Sequence, residues 1–187
     1  MRNKILEKSK TNKQLIGIRL YQEENDFWLG YIEDFNEEII QLRYFDQFGN
    51  EDGIVIEQQS NIDSIDFESE YEKTYEYLVN KKNYLVDIVP IVTFKDSENW
   101  RYEYLKEVKN RNELISVQFN DEVIIYGYVI ELDGDSLILD TVDQLGQTEG
   151  KTVYKIEDIT AFKIADKHCK QRQELYTWRV KPVANNS

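Results

Sequence analysis

Short apolar segments with a period of two run through most of the chain and predict β-strands. KQLIGIRL (13 to 20) and NELISVQF (112 to 119) alternate in this way, and each is followed by a longer segment rich in β-branched and aromatic residues. Clusters of Gly, Asn, Asp and Ser separate these segments and are typical of turns. The pattern predicts a mainly β protein with short connections.

The same pattern occurs twice, which predicts an internal repeat. WLGYIEDFNEEIIQL (28 to 42) aligns with IYGYVIELDGDSLIL (125 to 139), and the alignment then continues without a gap. It places DQFGNEDG (46 to 53) on DQLGQTEG (143 to 150). Apolar positions match apolar positions almost throughout, so the two halves are expected to have the same fold.

Each copy is predicted to begin and end with a short helix. Segments 5 to 13 and 104 to 112 precede the first strands, and segments 68 to 82 and 167 to 178 follow the last ones. Five strands of five to seven residues with short connections favour a small, strongly bent barrel over a two-sheet sandwich. The predicted organisation is a first barrel with flanking helices (1 to 83), an apolar connector (84 to 99) and a second barrel with flanking helices (100 to 187).

The connector has no counterpart elsewhere in the chain. Its apolar run VDIVPIVTF carries Pro90 in the middle, which argues for an edge strand or an extended strap. Because it is apolar, we expect it to pack on one or both barrels and to join them into one rigid body.

The order of elements in each copy resembles the Sm/LSm fold. In the second copy, LISVQFNDEVIIYGYVIELDGDSLIL is similar to the first half of that family, including Gly127 in the bent second strand, and KTVYKIEDITAFKI is similar to its second half. The resemblance implies two tandem five-stranded Sm-like (SH3-type) barrels. The RNA-contacting signature of the family is absent, because the corresponding positions read Asn36-Glu37-Glu38, Asp133-Gly134-Asp135, Ser60-Asn61 and Glu157-Asp158.

Charge and composition narrow the classes of partner. The net charge is −13, and residues 14 to 79 carry 3 Lys and Arg against 17 Asp and Glu. Such a surface repels phosphate backbones and favours a basic protein partner. One cysteine and one histidine leave no disulfide and no zinc cluster. Without a long apolar segment or a secretory signal, we expect a cytoplasmic protein with no membrane contact.

The repeated DQxGxxxG runs are predicted to be turns. Gly49, Gly53, Gly146 and Gly150 would supply positive φ, and the aspartates would hydrogen-bond backbone amides two residues on. Calcium binding by Asp46, Asn50 and Asp52, or by Asp143 and Glu149, lacks the ligand pattern of a calcium loop. A partner-binding role is kept as a hypothesis, with these candidate residues: Trp28, Glu37, Glu38, Asp46, Asp52, Asp143 and Glu149.

No catalytic, metal or cofactor site is predicted. Adjacent helical residues point about 100° apart, so His168 and Cys169 cannot form a nucleophile and base pair. Glu33, Asp34, Glu37 and Glu38 are predicted to form a solvated hairpin turn without pKa tuning. Trp28 is predicted to lie in the core or at the mouth of the barrel, and a partner could contact it or Trp100 if either lies on a rim.

The main functional hypothesis is a non-enzymatic protein-interaction module, such as an adaptor, an inhibitor or an immunity-type protein, that binds a basic partner. Barrel strand edges predict either a monomeric pseudo-dimer or a homo-oligomer. The alternative is an Sm-like RNA-binding protein that uses the connector and the basic helices, through Lys4, Lys8, Lys10, Lys81, Lys82, Arg101, Lys106 and Lys109.

Overall fold

The computed structural model describes residues 1–21, 27–82, 99–120 and 123–180. The chain divides into two compact units, Met1–Glu98 and Asn99–Ser187, and each is described by itself. The division falls inside the predicted connector, which apart from Asn99 lies outside the described residues.

Unit 1 is one antiparallel sheet of five strands with a helix before it and a helix after it. The strand order is β5-β1-β2-β3-β4. The elements are α1 Arg2–Asn12, β1 Ile16–Leu20, β2 Phe27–Phe35, β3 Ile39–Phe45, β4 Glu51–Gln58, a 3₁₀ turn Gln59–Asn61, β5 Ile62–Phe67 and α2 Glu70–Lys81.

Unit 2 contains the same elements in the same order. Its strands pair antiparallel in the order β10-β6-β7-β8-β9. The elements are α3 Trp100–Arg111, β6 Ile115–Phe119, β7 Val123–Leu132, β8 Ser136–Val142, β9 Thr148–Lys155, a 3₁₀ turn Ile156–Asp158, β10 Ile159–Ile164 and α4 Lys167–Val180. The prediction of a mainly β protein with short helices is confirmed.

Unusual backbone conformations recur at aligned positions of the two units. Lys13 and Asn112 end the first helix of each unit with φ of 48° and 52°. Glu68 and Ala165 link the last strand to the last helix with φ of 61° and 54°. Because left-handed backbone is rare for residues other than glycine, these matches are a local signature that the two units share.

The sheet of unit 1 is covered on both faces. Residues of β2 alternate between two apolar clusters, with Trp28 and Ile32 in one and Leu29 and Tyr31 in the other. The first cluster includes Leu6 of α1, and the second includes Val79 of α2. The two helices therefore stabilise opposite faces of one sheet.

Unit 2 is built in a similar way, with a more aromatic core. Trp100 and Tyr104 of α3 pack against Phe162 of β10 with ring centroids 5.8 and 4.7 Å apart. On the other side of the sheet, Cys169 of α4 lies in a cluster with Tyr128. Burial of these aromatic side chains contributes a large part of the apolar stabilisation of the unit.

Alanine substitutions of three glycines in unit 2 should separate backbone strain from steric overlap. A Cβ on Gly146, where φ is +73°, would lie 2.5 Å from the Tyr176 backbone nitrogen, whereas Gly150, at φ +112°, has open space around it. Gly134 has open space and no positive φ. We expect Gly134→Ala to change the free energy of unfolding by less than about 0.5 kcal/mol, and Gly150→Ala to cost about 1 to 2 kcal/mol.

Gly146→Ala should cost about 2 to 4 kcal/mol, because it adds overlap with helix backbone to the same strain. Urea denaturation followed by fluorescence measures all three variants. Equal losses for Gly146→Ala and Gly150→Ala would show that the turn does not pack on the helix.

Candidate functional site

The aspartates of the repeated DQxGxxxG runs are used by the turns themselves. Asp46 Oδ1 accepts hydrogen bonds from the backbone amides of Phe48 and Asn50, both at 2.8 Å. Asp143 Oδ1 accepts the same two bonds from Leu145 and Gln147, also at 2.8 Å. These carboxylates close the turns in an identical way, which leaves less of their acceptor capacity for a ligand.

The first glycine of each run lets the turn approach the last helix of its unit. A Cβ on Gly49 would lie 3.2 Å from the carbonyl carbon of Leu78. A Cβ on Gly146, the aligned glycine of unit 2, would lie 2.6 Å from the carbonyl carbon of Leu175. Only glycine combines this close approach with a φ of +73° at both positions.

A basic side chain completes the same contact in both units. Lys82 Nζ donates to the carbonyl oxygen of Phe48 at 2.9 Å, and Arg179 Nε donates to that of Leu145 at 2.8 Å. Lys82 and Arg179 occupy aligned positions at the ends of α2 and α4. Each turn is therefore fixed to the end of the helix that follows its sheet.

The second glycine of each run lies near an irregularity in the sheet. Gly53 and Gly150 have φ of 100° and 112°. The β3–β4 and β8–β9 ladders shift register after Arg43 and after Thr141, as at a β-bulge. Together with the helix contact, this geometry gives the DQxGxxxG runs a structural role in bending and anchoring each hairpin.

Asp46 shows the electrostatic effect of this turn. Burial by itself would raise the pKa of its carboxyl, but hydrogen bonds from the Asn50 side chain and from backbone amides outweigh burial and lower it. The nearby ammonium group of Lys82 acts in the same direction. The ionised form of Asp46 is therefore part of the folded turn.

Three of the seven candidate partner-binding residues remain exposed. Trp28 lies in the core of unit 1 and Asp52 is buried, so neither is accessible at the surface. Asp46 and Asp143 are half-buried and closed by their own turns. The exposed three are Glu37, Glu38 and Glu149.

The polar hairpin of unit 1 is less solvated than its sequence predicts. Asp34 is buried and accepts a hydrogen bond from Lys10 Nζ at 2.7 Å. Burial raises the pKa of Glu33, and the Arg43 guanidinium opposes the rise. The expectation of a wholly solvated turn was wrong for these two carboxylates, because α1 packs against β2.

Trp100 and the His168-Cys169 pair do not form a site. Trp100 is buried in the core of unit 2, where no partner can contact it. Cys169 is buried and His168 is exposed, so the two side chains lie on different sides of α4. Burial raises the pKa of the Cys169 thiol well above its ordinary value, which disfavours the reactive thiolate.

Every cation between positions 14 and 79 is paired with a carboxylate of unit 1. Arg19 pairs with Asp66 at 3.1 Å, Arg43 with Glu51 at 2.9 Å and Lys73 with Glu70 at 2.8 Å. Because only three cations oppose seventeen carboxylates in this span, these pairs leave a large negative excess.

The stretch from β5 into the first turn of α2 combines acidic side chains with exposed aromatic rings on the surface of unit 1. We name it the acidic edge, and it consists of Asp63, Asp66, Phe67, Glu68, Glu70 and Tyr71. Phe67 and Tyr71 are 41% and 47% exposed. Burial and a hydrogen bond with Tyr75 raise the pKa of Tyr71 to about 12, so its hydroxyl stays protonated. The sequence signal for this surface is the interleaving of acidic and aromatic residues in DSIDFESEYE.

Half of the basic residues named for RNA binding are already engaged in contacts within their own unit. Lys8 pairs with Glu68, and Lys10 pairs with Asp34. Lys82 bonds to the repeated turn, and Arg101 Nε donates to the carbonyl oxygen of Ile159 at 2.7 Å. The other four residues are all exposed: Lys4, Lys81, Lys106 and Lys109.

Comparison with known protein families, curated proteins and solved structures gives no match to this chain. Among the described helices, none is both long enough and apolar enough to cross a membrane. In the described ranges, no group of three or more His, Cys, Asp or Glu side chains is placed to hold a metal ion.

Replacing Asp46 should destabilise unit 1 and change its response to acid. Because the pKa of Asp46 is lowered on folding, its stabilisation is fully present above the ordinary carboxyl pKa of about 4 and is lost as the pH falls through the lowered value. Asp46→Asn should cost about 1 kcal/mol at pH 7 and flatten the acid limb of the stability profile.

The measurement is the free energy of unfolding by urea between pH 7 and pH 2.5. The control at pH 7 is Glu38→Gln, because Glu38 is exposed. We expect this substitution to change the free energy of unfolding by less than about 0.5 kcal/mol. An acid limb as steep in Asp46→Asn as in the wild type would contradict the prediction.

Proposed function

We propose that this chain is a cytoplasmic, non-enzymatic protein-interaction module that binds a basic protein surface through the acidic edge of unit 1. The observation that carries the proposal is the combination of exposed carboxylates with two exposed aromatic rings in one nine-residue stretch. Carboxylates steer and orient a basic partner, and aromatic rings provide contact area and accept cations on their faces.

The proposal includes an Sm-like barrel as the form of each unit. Support comes from the element order and from the pairing of the last strand with the first, β5 with β1 and β10 with β6. Glycine in the second strand also fits a sharply bent sheet, because a Cβ on Gly30 or Gly127 would lie 2.2 or 2.6 Å from a carbonyl oxygen of the next strand.

The ion pairs on the acidic edge do not prevent binding. Asp66, Glu68 and Glu70 each contact a cation, but all three pairs are largely exposed. Exposed pairs contribute only about 0 to 1 kcal/mol, so a partner can replace them at little cost. Asp63, Glu37 and Glu38 have no ion-pair partner among the described residues.

A protein partner is favoured over RNA by the distribution of charge. RNA binding needs clustered cations beside exposed aromatic rings. In unit 1 the exposed residues Phe67 and Tyr71 alternate along the sequence with acidic residues. This arrangement repels phosphate and attracts Lys and Arg.

We further propose that the chain acts as a monomer. In unit 2, β9 ends the sheet order and its side chains are largely exposed. Lys151 and Lys155 lie on this strand, and charged residues at an edge discourage pairing with a second sheet. Homo-oligomerisation through strand edges is therefore the less favoured arrangement.

The test is affinity capture from the native host with the full chain and two charge-reversal variants. Asp63→Lys with Glu70→Lys alters the acidic edge of unit 1, and Glu131→Lys with Asp135→Lys alters exposed carboxylates of unit 2 as a matched control. We expect recovery of a basic protein to fall about tenfold or more with the unit 1 variant and to stay unchanged with the control.

Each capture is also read for RNA at two salt concentrations. RNA whose recovery falls steeply with salt, in place of a basic protein, would overturn the proposal in favour of an RNA-binding function. Equal loss of the protein partner with both variants would show that the acidic edge is not the binding surface.

A further inference from the structure

The acidic edge of unit 1 already holds one arginine side chain, which comes from the chain itself. Arg19 of β1 donates from Nε and Nη2 to Asp66 Oδ2, at 3.2 and 3.1 Å. Its guanidinium carbon lies over the Phe27 ring, 4.6 Å from the ring centroid. The guanidinium is therefore held from two directions, by a carboxylate and by the face of an aromatic ring.

A glycine places the ring and the carboxylate within reach of the same guanidinium. Gly17 pairs with Asp66 of β5, and Arg19, two residues later on the same face of β1, pairs with Phe27 of β2. A Cβ on Gly17 would lie 2.3 Å from two atoms of the Phe27 ring and 3.5 Å from the Cβ of Asp66. The ring lies across β1 at this point because the position has no side chain.

Helix α2 holds the Phe27 ring in place. The rings of Phe27 and Tyr71 meet edge to face with centroids 5.6 Å apart, and the rings of Tyr71 and Tyr75 are 4.5 Å apart. Such contacts orient aromatic rings and keep the Phe27 face available if Arg19 leaves it. We name Phe27, Asp66 and Tyr71 the guanidinium site.

The guanidinium site is a feature of unit 1 and not a requirement of the shared fold. In unit 2 the same strands pair in the same register. The positions that align with Gly17, Arg19, Phe27 and Asp66 nevertheless carry other residues, which are Ser116, Gln118, Ile124 and Lys163. The strands therefore pair without a ring, a guanidinium and a carboxylate at these positions.

Arg19 is held weakly enough for another side chain to replace it. Its side chain is 53% exposed, and that of Asp66 is 40% exposed. Exposed ion pairs, and exposed contacts between a cation and a ring, stabilise a protein only slightly. A guanidinium of a bound protein that makes the same contacts can therefore displace Arg19 into solvent at little cost.

We propose that the basic partner of the acidic edge inserts an arginine side chain into the guanidinium site in place of Arg19. The partner's guanidinium lies on the Phe27 ring beside Tyr71 and donates to Asp66. Lysine fits this site less well, because an ammonium group is more strongly hydrated and cannot lie flat on a ring. The inference rests on the proposed function and adds which side chain of the partner is recognised.

The first experiment compares two probes that differ only in their cations. One is a short peptide of glycine and serine with three arginines, and the other has three lysines at the same positions. Calorimetry measures the Kd of each peptide for the full chain. We expect the arginine peptide to bind about threefold more tightly than the lysine peptide.

Two variants with the same change of charge test the competition by Arg19. Arg19→Gln introduces the residue type of the aligned Gln118 and should widen the preference for arginine by a further factor of about three. Lys73→Gln removes the cation that pairs with Glu70 and should change both Kd values by the same factor. Equal Kd values in the wild type, or equal widening of the preference in both variants, would overturn the inference.

The second experiment observes the displacement directly by ¹⁵N NMR of the full chain. The Nε–Hε signal of Arg19 is assigned by its loss in Arg19→Gln. The arginine peptide should move this signal toward its position in Asp66→Asn, where the ion pair is broken, and the lysine peptide should move it less. A signal that stays in place at saturation would contradict displacement.

Two further variants remove parts of the guanidinium site. Phe27→Ile, which introduces the residue type of the aligned Ile124, and Asp66→Asn should each bring the Kd values of the two peptides together. Melting temperatures show whether each variant is folded, and the Asp66 substitution provides the test if Phe27→Ile is not. A full preference for arginine in folded Asp66→Asn would reject the site.

Charge reversal separates this inference from the function proposed for the acidic edge. Asp63→Lys with Glu70→Lys changes the acidic edge outside the guanidinium site and should weaken both peptides by a similar factor. Equal binding of the two peptides to the wild type, weakened by this variant, would reject the arginine preference and leave the proposed function standing. Binding that charge reversal leaves unchanged would reject both.

Discussion

The contact between each repeated turn and the helix that ends its unit is the constraint on which the rest of the structure depends. A glycine at φ +73° brings the turn against the helix backbone, an aspartate holds the turn closed, and a basic side chain bonds to its tip. This contact joins the hairpin of the third and fourth strands to a helix about thirty residues later in the chain. Because one face of each helix is committed to the sheet, the opposite face is available for binding.

The two units use this scaffold to present different surfaces. In unit 1, β5 and the first turn of α2 present carboxylates and two aromatic rings, whereas in unit 2 the aligned helix presents lysines, arginines and a tryptophan. The backbone positions that need glycine or left-handed geometry match between the units, apart from Asn120 of unit 2. The two units therefore share an order of elements and differ at exposed positions, where substitutions change stability little.

Unit 1 tolerates its negative excess because several carboxylates are stabilised inside it. Glu51 pairs with the buried Arg43, Asp34 with Lys10, and Asp46 accepts hydrogen bonds from its own turn. Each of these groups would be costly to leave buried without a partner. The carboxylates that remain at the surface are the ones available to a basic partner, with Asp63, Glu37 and Glu38 the clearest examples.

The sequence by itself determined the strand and helix order, the repeat and the turn-forming role of the DQxGxxxG glycines, because alternation and turn chemistry act over a few residues. It did not determine which aromatic side chains are exposed, since Trp28 and Trp100 are buried and Trp178 is exposed. Nor did it show that Asp52 is buried or that Arg179 bonds to Leu145, 34 residues away. The tertiary structure decided these points, because burial and side-chain pairing depend on contacts between segments distant in sequence.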